Sequence, residues 1–338
     1  MERNKKVYES LDLFKFMAAI LVVALHSKPF VYDNDLNYYS SCFCRIAVPY
    51  FFICSSFLFF SKEMPDIKKY SKRLISLYVA WFFIEIPFVY HRFFVDYERP
   101  FFSQMFNFFR CLVFNNTWYA SWFIMACIIS TNIIYYLSHR LTNKQLLLLG
   151  WGGYFLSLLC SSYSGILDLL LDDNFKYYHA AFSYFFMPAN SFIVALIYVV
   201  LGKIIAEDTL SKKQLCINRK TNISLLFCLA VLGIMEVHFI RWSVVISDAF
   251  LFLPFFTFLF FLLILRTKVN LSPLVSHLFR SMSILIYILH AIFVSVNHKI
   301  FGINCGMTMF FVTLIESIVL ASLIISLSNK APLLKRLY

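Results

Sequence analysis

The stretch Leu11–Ser27, which reads LDLFKFMAAILVVALHS, decides how this 338-residue chain folds. Its seventeen residues are mostly apolar, which is typical of a helix that spans a lipid bilayer. Three ionisable residues, Asp12, Lys15 and His26, interrupt the apolar run. Lys15 follows Asp12 by three positions, and His26 follows Lys15 by eleven positions. This spacing places all three residues on one face of the predicted helix.

This ionisable stripe has two explanations. Ionisable groups at membrane depth are costly and usually face a protein interior in which they have a function. Alternatively, Asp12 and Lys15 pair at the start of the helix, and His26 is solvated at its end. At a rise of about 1.5 Å per residue, Lys15 and His26 are roughly 16 Å apart along the axis. They can therefore serve two separate sites.

The composition is typical of a protein that crosses the membrane many times. Hydrophobic residues make up 61% of the chain, the mean hydropathy is +0.74, and charged residues make up 14%, against about 25% in soluble domains. The net charge of +12 does not indicate a nucleic-acid partner, because the basic residues lie between apolar segments. We predict one all-α domain over residues 1–338, with a membrane bundle at about 11–328 in contact with lipid.

Ten apolar segments predict ten transmembrane helices, because each is close to the roughly 17–25 residues that cross a bilayer. We place them near residues 11–30, 41–60, 74–94, 118–138, 146–161, 181–204, 222–240, 248–266, 281–300 and 305–328. The mixed apolar and polar stretch 101–114 predicts a helix that lies at the membrane interface.

The distribution of Lys and Arg orients these spans. If the N-terminus is cytoplasmic, the inner segments hold 21 basic residues and the outer segments hold 8. Lys15, within the membrane, completes the total of 30. An excess of basic residues on the inner side is the usual topology signal. We therefore predict that both termini are cytoplasmic, that Lys15 lies near the cytosol and that His26 lies near the outer face.

The catalytic candidate is His26. A neutral imidazole can take a proton from a hydroxyl or attack an activated acyl group near neutral pH. The sequence contains no Walker A loop and none of the motifs G-x-G-x-x-G, H-E-x-x-H or G-x-S-x-G. We predict no metal site, because Cys42 and Cys44, which flank one residue, are weak evidence on their own.

Several other polar groups have structural explanations that are at least as good. Single carboxylates within spans, Glu85 and Glu316, fit buried acids, and the outer end of the seventh span carries Glu236, His238 and Arg241. The basic run 68–73, KKYSKR, either follows from topology or attracts phosphate groups from the cytosol. Charge alone does not separate these two explanations.

Four stretches together resemble the acyltransferase 3 family of bacterial integral-membrane O-acyltransferases. The first resembles the first-helix motif of the family, with a basic residue and a His separated by ten residues, here Lys15 and His26. The others are VPYFFICSSFLFF at Val48–Phe60, SWFIMACII at Ser121–Ile129 and SILIYILH at Ser283–His290. The chain departs from the family pattern at Lys15, where Arg is commoner, so the charge is kept but the bidentate geometry is lost.

The resemblance implies a membrane O-acyltransferase, with acetyl as the expected acyl group. Acyl-CoA would bind from the cytosol as a substrate, with no resident cofactor, and a surface polysaccharide or its lipid-linked precursor would accept the acyl group. His26 would act as the general base or as a transient acyl carrier. The implied substrate-binding residues are Asp12, Lys15, Ser55, Arg73, Tyr287 and His290. The implied location is the bacterial cytoplasmic membrane.

Two other functions stay open on the sequence. A transporter or flippase for lipid-linked sugars would also place polar residues inside a bundle, although such folds usually show paired halves, and no such symmetry occurs here. A glycan polymerase would be favoured by Arg-rich outer loops, and the predicted outer loops hold only a few Arg residues.

Overall fold

The computed structural model describes residues 8–95, 100–114, 121–165, 188–211, 217–241 and 249–338, apart from the side chain of Arg92. The described residues are helical and contain no strand, which confirms the all-α prediction. The twelve α-helices in these ranges are α1 (Glu9–Ser27), α2 (Asn34–Cys44), α3 (Ala47–Phe60), α4 (Ile67–Tyr90), α5 (Phe101–Phe114), α6 (Ser121–Leu137), α7 (Asn143–Leu159), α8 (Phe192–Ser211), α9 (Arg219–Ile240), α10 (Phe252–Arg266), α11 (Pro273–Lys299) and α12 (Met307–Ser328).

Every predicted span coincides at least in part with one of these helices. Within the described ranges, six helical segments can cross a membrane by length and apolar composition: Glu9–Ser27, Asn34–Phe60, Ile67–Val95, Arg219–Ile240, Pro273–Lys299 and Met307–Ser328. The helices at the other four predicted spans are shorter or carry more charge. Part of the predicted span 181–204 lies outside the described residues. Ten spans and cytoplasmic termini therefore stay predictions, as does the interfacial position of α5.

Polar side chains in the loops set where several helices begin. Asp33 caps α2 and Asp66 caps α4, each through a 2.9 Å bond from a backbone amide three residues later. Thr142 and Gln145 form a capping box at the start of α7. Such side chains satisfy the amides at a helix start that have no partner within the helix.

The helices at the first and ninth predicted spans differ in their bounds from those spans. Helix α1 ends at Ser27 rather than near residue 30, because Lys28 adopts a left-handed φ of 48° and Pro29 follows it. Helix α11 begins at Pro273, eight residues before the predicted start at 281. Ser272 caps it, and Pro273 occupies its first position.

Helix α3 lies at the centre of the bundle and packs against α1, α6, α8 and α10. Helix α1 packs chiefly against α11, and α11 also packs against α12. The close approach of α3 and α8 depends on Gly202. A Cβ atom at this position would lie 2.6 Å from the carbonyl oxygen of Ile53 and 2.8 Å from the Cβ of Ser56. The absence of a side chain therefore lets the two helices come together.

Gly202→Ala should destabilise the protein by about 1–3 kcal/mol, because a methyl group there overpacks the α3–α8 contact. Thermal unfolding of the purified full chain in detergent measures this loss. Gly152→Ala is the matched control, since a Cβ on Gly152 in α7 would have no atom within 4 Å. The control should keep or gain stability, because Ala is the better helix former by up to about 1 kcal/mol. Equal effects of the two substitutions would contradict the close-packing argument.

Candidate active site

Helix α1 carries its ionisable residues to two places in the bundle. Asp12 lies in the first turn and is buried, and Lys15 lies one turn later and is partly buried. His26 lies in the last turn and is exposed to a cavity. The structure therefore separates a charged cluster at one end of α1 from an imidazole at the other.

Asp12 is the centre of the charged cluster. Its carboxylate accepts hydrogen bonds from Lys15 Nζ at 3.3 Å, Ser276 Oγ at 2.7 Å, and Arg280 Nε and Nη2 at 3.0 and 2.5 Å. These charge-assisted bonds compensate for the burial of the carboxylate. Asp12 and Lys15 therefore lie together, as the sequence predicted.

Two partners of Asp12, Arg280 and Ser276, were not predicted from the sequence. Both precede the ninth predicted span, but they lie within α11, on the face that packs against α1. The available signal was the Ser272-Pro273 pair, which predicts a helix start there. Periodicity within α11 would then have put Ser276, Arg280 and Ser283 on one face.

The second predicted site lies at the far end of α1, where two imidazoles meet. The ring centroids of His26 and His290 are 5.1 Å apart. His290 is 2% exposed, and its Nδ1 lies 3.3 Å from the carbonyl oxygen of Ile286. Because a carbonyl oxygen only accepts, Nδ1 of His290 carries the proton in this bond. The ring of Tyr287 lies 6.0 Å from that of His290.

The two His residues and Tyr287 line a cavity of about 430 Å³. Lys28, from the end of α1, and Arg45, from the break between α2 and α3, add cations to its wall. The lining also includes these polar and aromatic side chains: Asn37, Tyr38, Ser41, Phe52, Trp122, Tyr154, Asn190 and Tyr198. A cavity of this volume with convergent polar groups is the usual form of a small-molecule site.

Ser55 and Arg73 neither bond to Asp12 nor line the cavity. Ser55 Oγ is 2.9 Å from the hydroxyl of Tyr70, which lies 3.4 Å from the hydroxyl of Thr131. This network joins α3, α4 and α6. Arg73 is exposed on α4, one turn after Tyr70. Their substrate-binding roles stay predictions.

The carboxylates of Glu85, Glu236 and Glu316 are buried or hydrogen-bonded within the bundle. Glu236 accepts hydrogen bonds from the hydroxyl of Tyr163 and from the amides of Leu251 and Phe252, so it fixes the start of α10. Glu85 is buried in α4. Glu316 accepts a 2.7 Å hydrogen bond from Asn297. None of these carboxylates lines the cavity beside His26.

Comparisons with known proteins add distant relatives. Two amino-acid racemases of Enterococcus faecalis match: one is 29% identical over 62% of this chain and 29% of the racemase, the other 23% identical over 95% and 46%. A serine/alanine racemase of Enterococcus gallinarum is 24% identical over 76% of this chain and 37% of its own length. The chain thus spans less than half the length of these relatives. No solved structure matches.

A family model also matches, and it covers nearly the whole chain. It is described as an acyltransferase domain and matches residues 8–327, a range that includes the charged cluster of α1 and α11 and both imidazoles. The chain therefore belongs to the acyltransferase 3 family of membrane acyltransferases.

Proposed function

We propose that this protein transfers an acyl group, most simply acetyl, from cytosolic acyl-CoA to a hydroxyl of a cell-surface polysaccharide or its lipid-linked precursor. The observation that carries the proposal is the meeting of His26 and His290 at one polar cavity in a chain of an acyltransferase family. The corresponding location is the bacterial cytoplasmic membrane, with both termini in the cytosol.

In the proposed reaction, the acceptor hydroxyl oxygen attacks the carbonyl carbon of the thioester. His26 takes the hydroxyl proton, the carbon–sulfur bond breaks, and coenzyme A leaves as the thiol after receiving that proton. In a two-step variant, a nitrogen of His26 attacks the thioester carbon, the carbon–sulfur bond breaks, and coenzyme A leaves as the thiolate. The acceptor hydroxyl then attacks the acyl carbon, the carbon–nitrogen bond to His26 breaks, and the hydroxyl proton passes to the thiolate. Either course needs His26 open to the cavity, which agrees with its exposure there.

The two ends of α1 suit a donor that reaches through the membrane. Lys15 would contact donor phosphates near the cytosol, and the thioester would approach His26, roughly 16 Å further along the helix. The names of the relatives describe racemases more than twice as long as the regions matched here. We therefore take no substrate from those names.

His26→Ala should lower acyl transfer by about 100-fold or more, because general-base catalysis contributes roughly 10²–10⁴-fold. The measurement is ester-linked acetate on glycan purified from cells that express the glycan locus with either protein. Glycan amount should not change. His298→Ala, at an exposed His near the end of α11, is the matched control and should leave acetate at the wild-type level. Unchanged acetate in His26→Ala would remove His26 from the mechanism, and lost glycan would indicate transport or polymerisation.

Lys15→Ala should reduce transfer at least about tenfold, because a charge-assisted hydrogen bond contributes roughly 1.5–3 kcal/mol. Lys15→Arg should keep part of the activity, since the positive charge remains. The assay is transfer of labelled acetate from acetyl-CoA in membranes that contain equal amounts of each variant. Lys144→Ala, at an exposed Lys in α7, serves as the control. An active Ala variant beside an inactive Arg variant would contradict a phosphate contact.

A further inference from the structure

We propose that Arg280 is a donor-binding residue that uses both edges of its guanidinium. One edge holds Asp12, and the other edge binds a phosphate group of the donor nucleotide. This inference rests on the proposed function, because it requires a donor that carries phosphate groups. Arg280 is not among the substrate-binding residues that the family resemblance implies.

The hydrogen bonds of Arg280 leave one edge of the guanidinium available. Its Nε and Nη2 donate to the two oxygens of Asp12 at 3.0 and 2.5 Å. A guanidinium carries five N–H groups in one plane. Three of them, two on Nη1 and one on Nη2, make no hydrogen bond to any residue in the described part of the chain.

The exposed fractions of Arg280 and Asp12 show which of the two side chains faces outward. The side chain of Arg280 is 43% exposed, whereas that of Asp12 is 3% exposed. Asp12 therefore anchors the guanidinium from the bundle interior, and the Arg280 side chain stays accessible. A planar pair of N–H groups matches two oxygens of a phosphate in the same way as it matches a carboxylate.

The charge of the cluster favours an incoming anion. Lys15 and Arg280 both donate to Asp12, so two cations lie beside one carboxylate. Glu9, the other acidic residue in the first turn of α1, accepts a 2.9 Å hydrogen bond from the amide of Leu271. A phosphate bound at the free edge of Arg280 would be attracted by both cations.

Arg280 offers a hydrogen-bonding geometry that Lys15 lacks. A lysine ammonium is a point charge that cannot form the two parallel hydrogen bonds available to a guanidinium. The guanidinium of Arg280 in α11 has this geometry, and it bonds to the same carboxylate as Lys15. Asp12 connects the two cations, and Ser276 Oγ restrains its second oxygen at 2.7 Å.

The test measures binding of coenzyme A to the purified full chain in lipid nanodiscs by calorimetry. Arg280→Gln should weaken binding about tenfold or more, because a charge-assisted contact is lost. Arg280→Lys should bind with intermediate affinity, since one ammonium cannot hold Asp12 and also form a paired contact with phosphate. Lys268→Gln, which removes an exposed cation just before α11, should bind like the wild type. Thermal unfolding of each variant confirms that it is folded.

Asp12→Asn separates a phosphate contact from a purely structural role. If Arg280 binds phosphate, Asp12→Asn should weaken coenzyme A binding less than Arg280→Gln does, because both cations remain. Equal losses in the two variants would mean that Arg280 acts only by holding Asp12. Wild-type affinity in Arg280→Gln or in Arg280→Lys would also overturn the inference. Failure of the wild-type protein to bind coenzyme A would instead overturn the proposed function itself.

Discussion

The buried carboxylate of Asp12 fixes the register of α1 against α11, and the rest of the site depends on that register. Ser276, its partner on α11, precedes His290 by fourteen residues, and Asp12 precedes His26 by fourteen residues. The two helices therefore run in the same direction and are in contact at both pairs. The spacing corresponds to about 21 Å of helix. The first and ninth predicted spans run in the same direction in the charge-based topology, which agrees with this arrangement.

The two contacts between these helices differ in chemistry, and in the proposed reaction this difference separates two tasks. The Asp12 cluster has two cations around one carboxylate, so it attracts anions. The imidazole pair lies at a cavity whose described lining residues include cations, amides and hydroxyls but no carboxylate. A substrate with phosphates at one end and a reactive carbonyl at the other end of a flexible arm fits this separation. Acyl-CoA has that form, whereas a compact metabolite would occupy only one of the two places.

The sequence predicted which residues share one face of a single helix. The 3.6-residue periodicity of α1 placed Asp12, Lys15 and His26 on one face, and the motif in α11 identified Tyr287 and His290. Contacts between helices were harder to predict, because periodicity gives a face but not the neighbour that covers it. Arg280 was therefore missed as the partner of Asp12. The hydrogen bond between Ser55 in α3 and Tyr70 in α4 was likewise not predicted.

The burial and hydrogen bonding of the two imidazoles assign them different tasks in the proposed reaction. His290 is almost fully buried, and its Nδ1–H donates to the carbonyl of Ile286, so its ring orientation is fixed within α11. His26 is exposed to the cavity and lies in the last turn of α1. A group that exchanges a proton with an acceptor hydroxyl must be reachable by that hydroxyl. His26 satisfies this requirement. His290, whose ring centroid lies 5.1 Å from that of His26, is far less open to the acceptor, so in the proposed reaction it supports the ring of His26 rather than exchanging the proton.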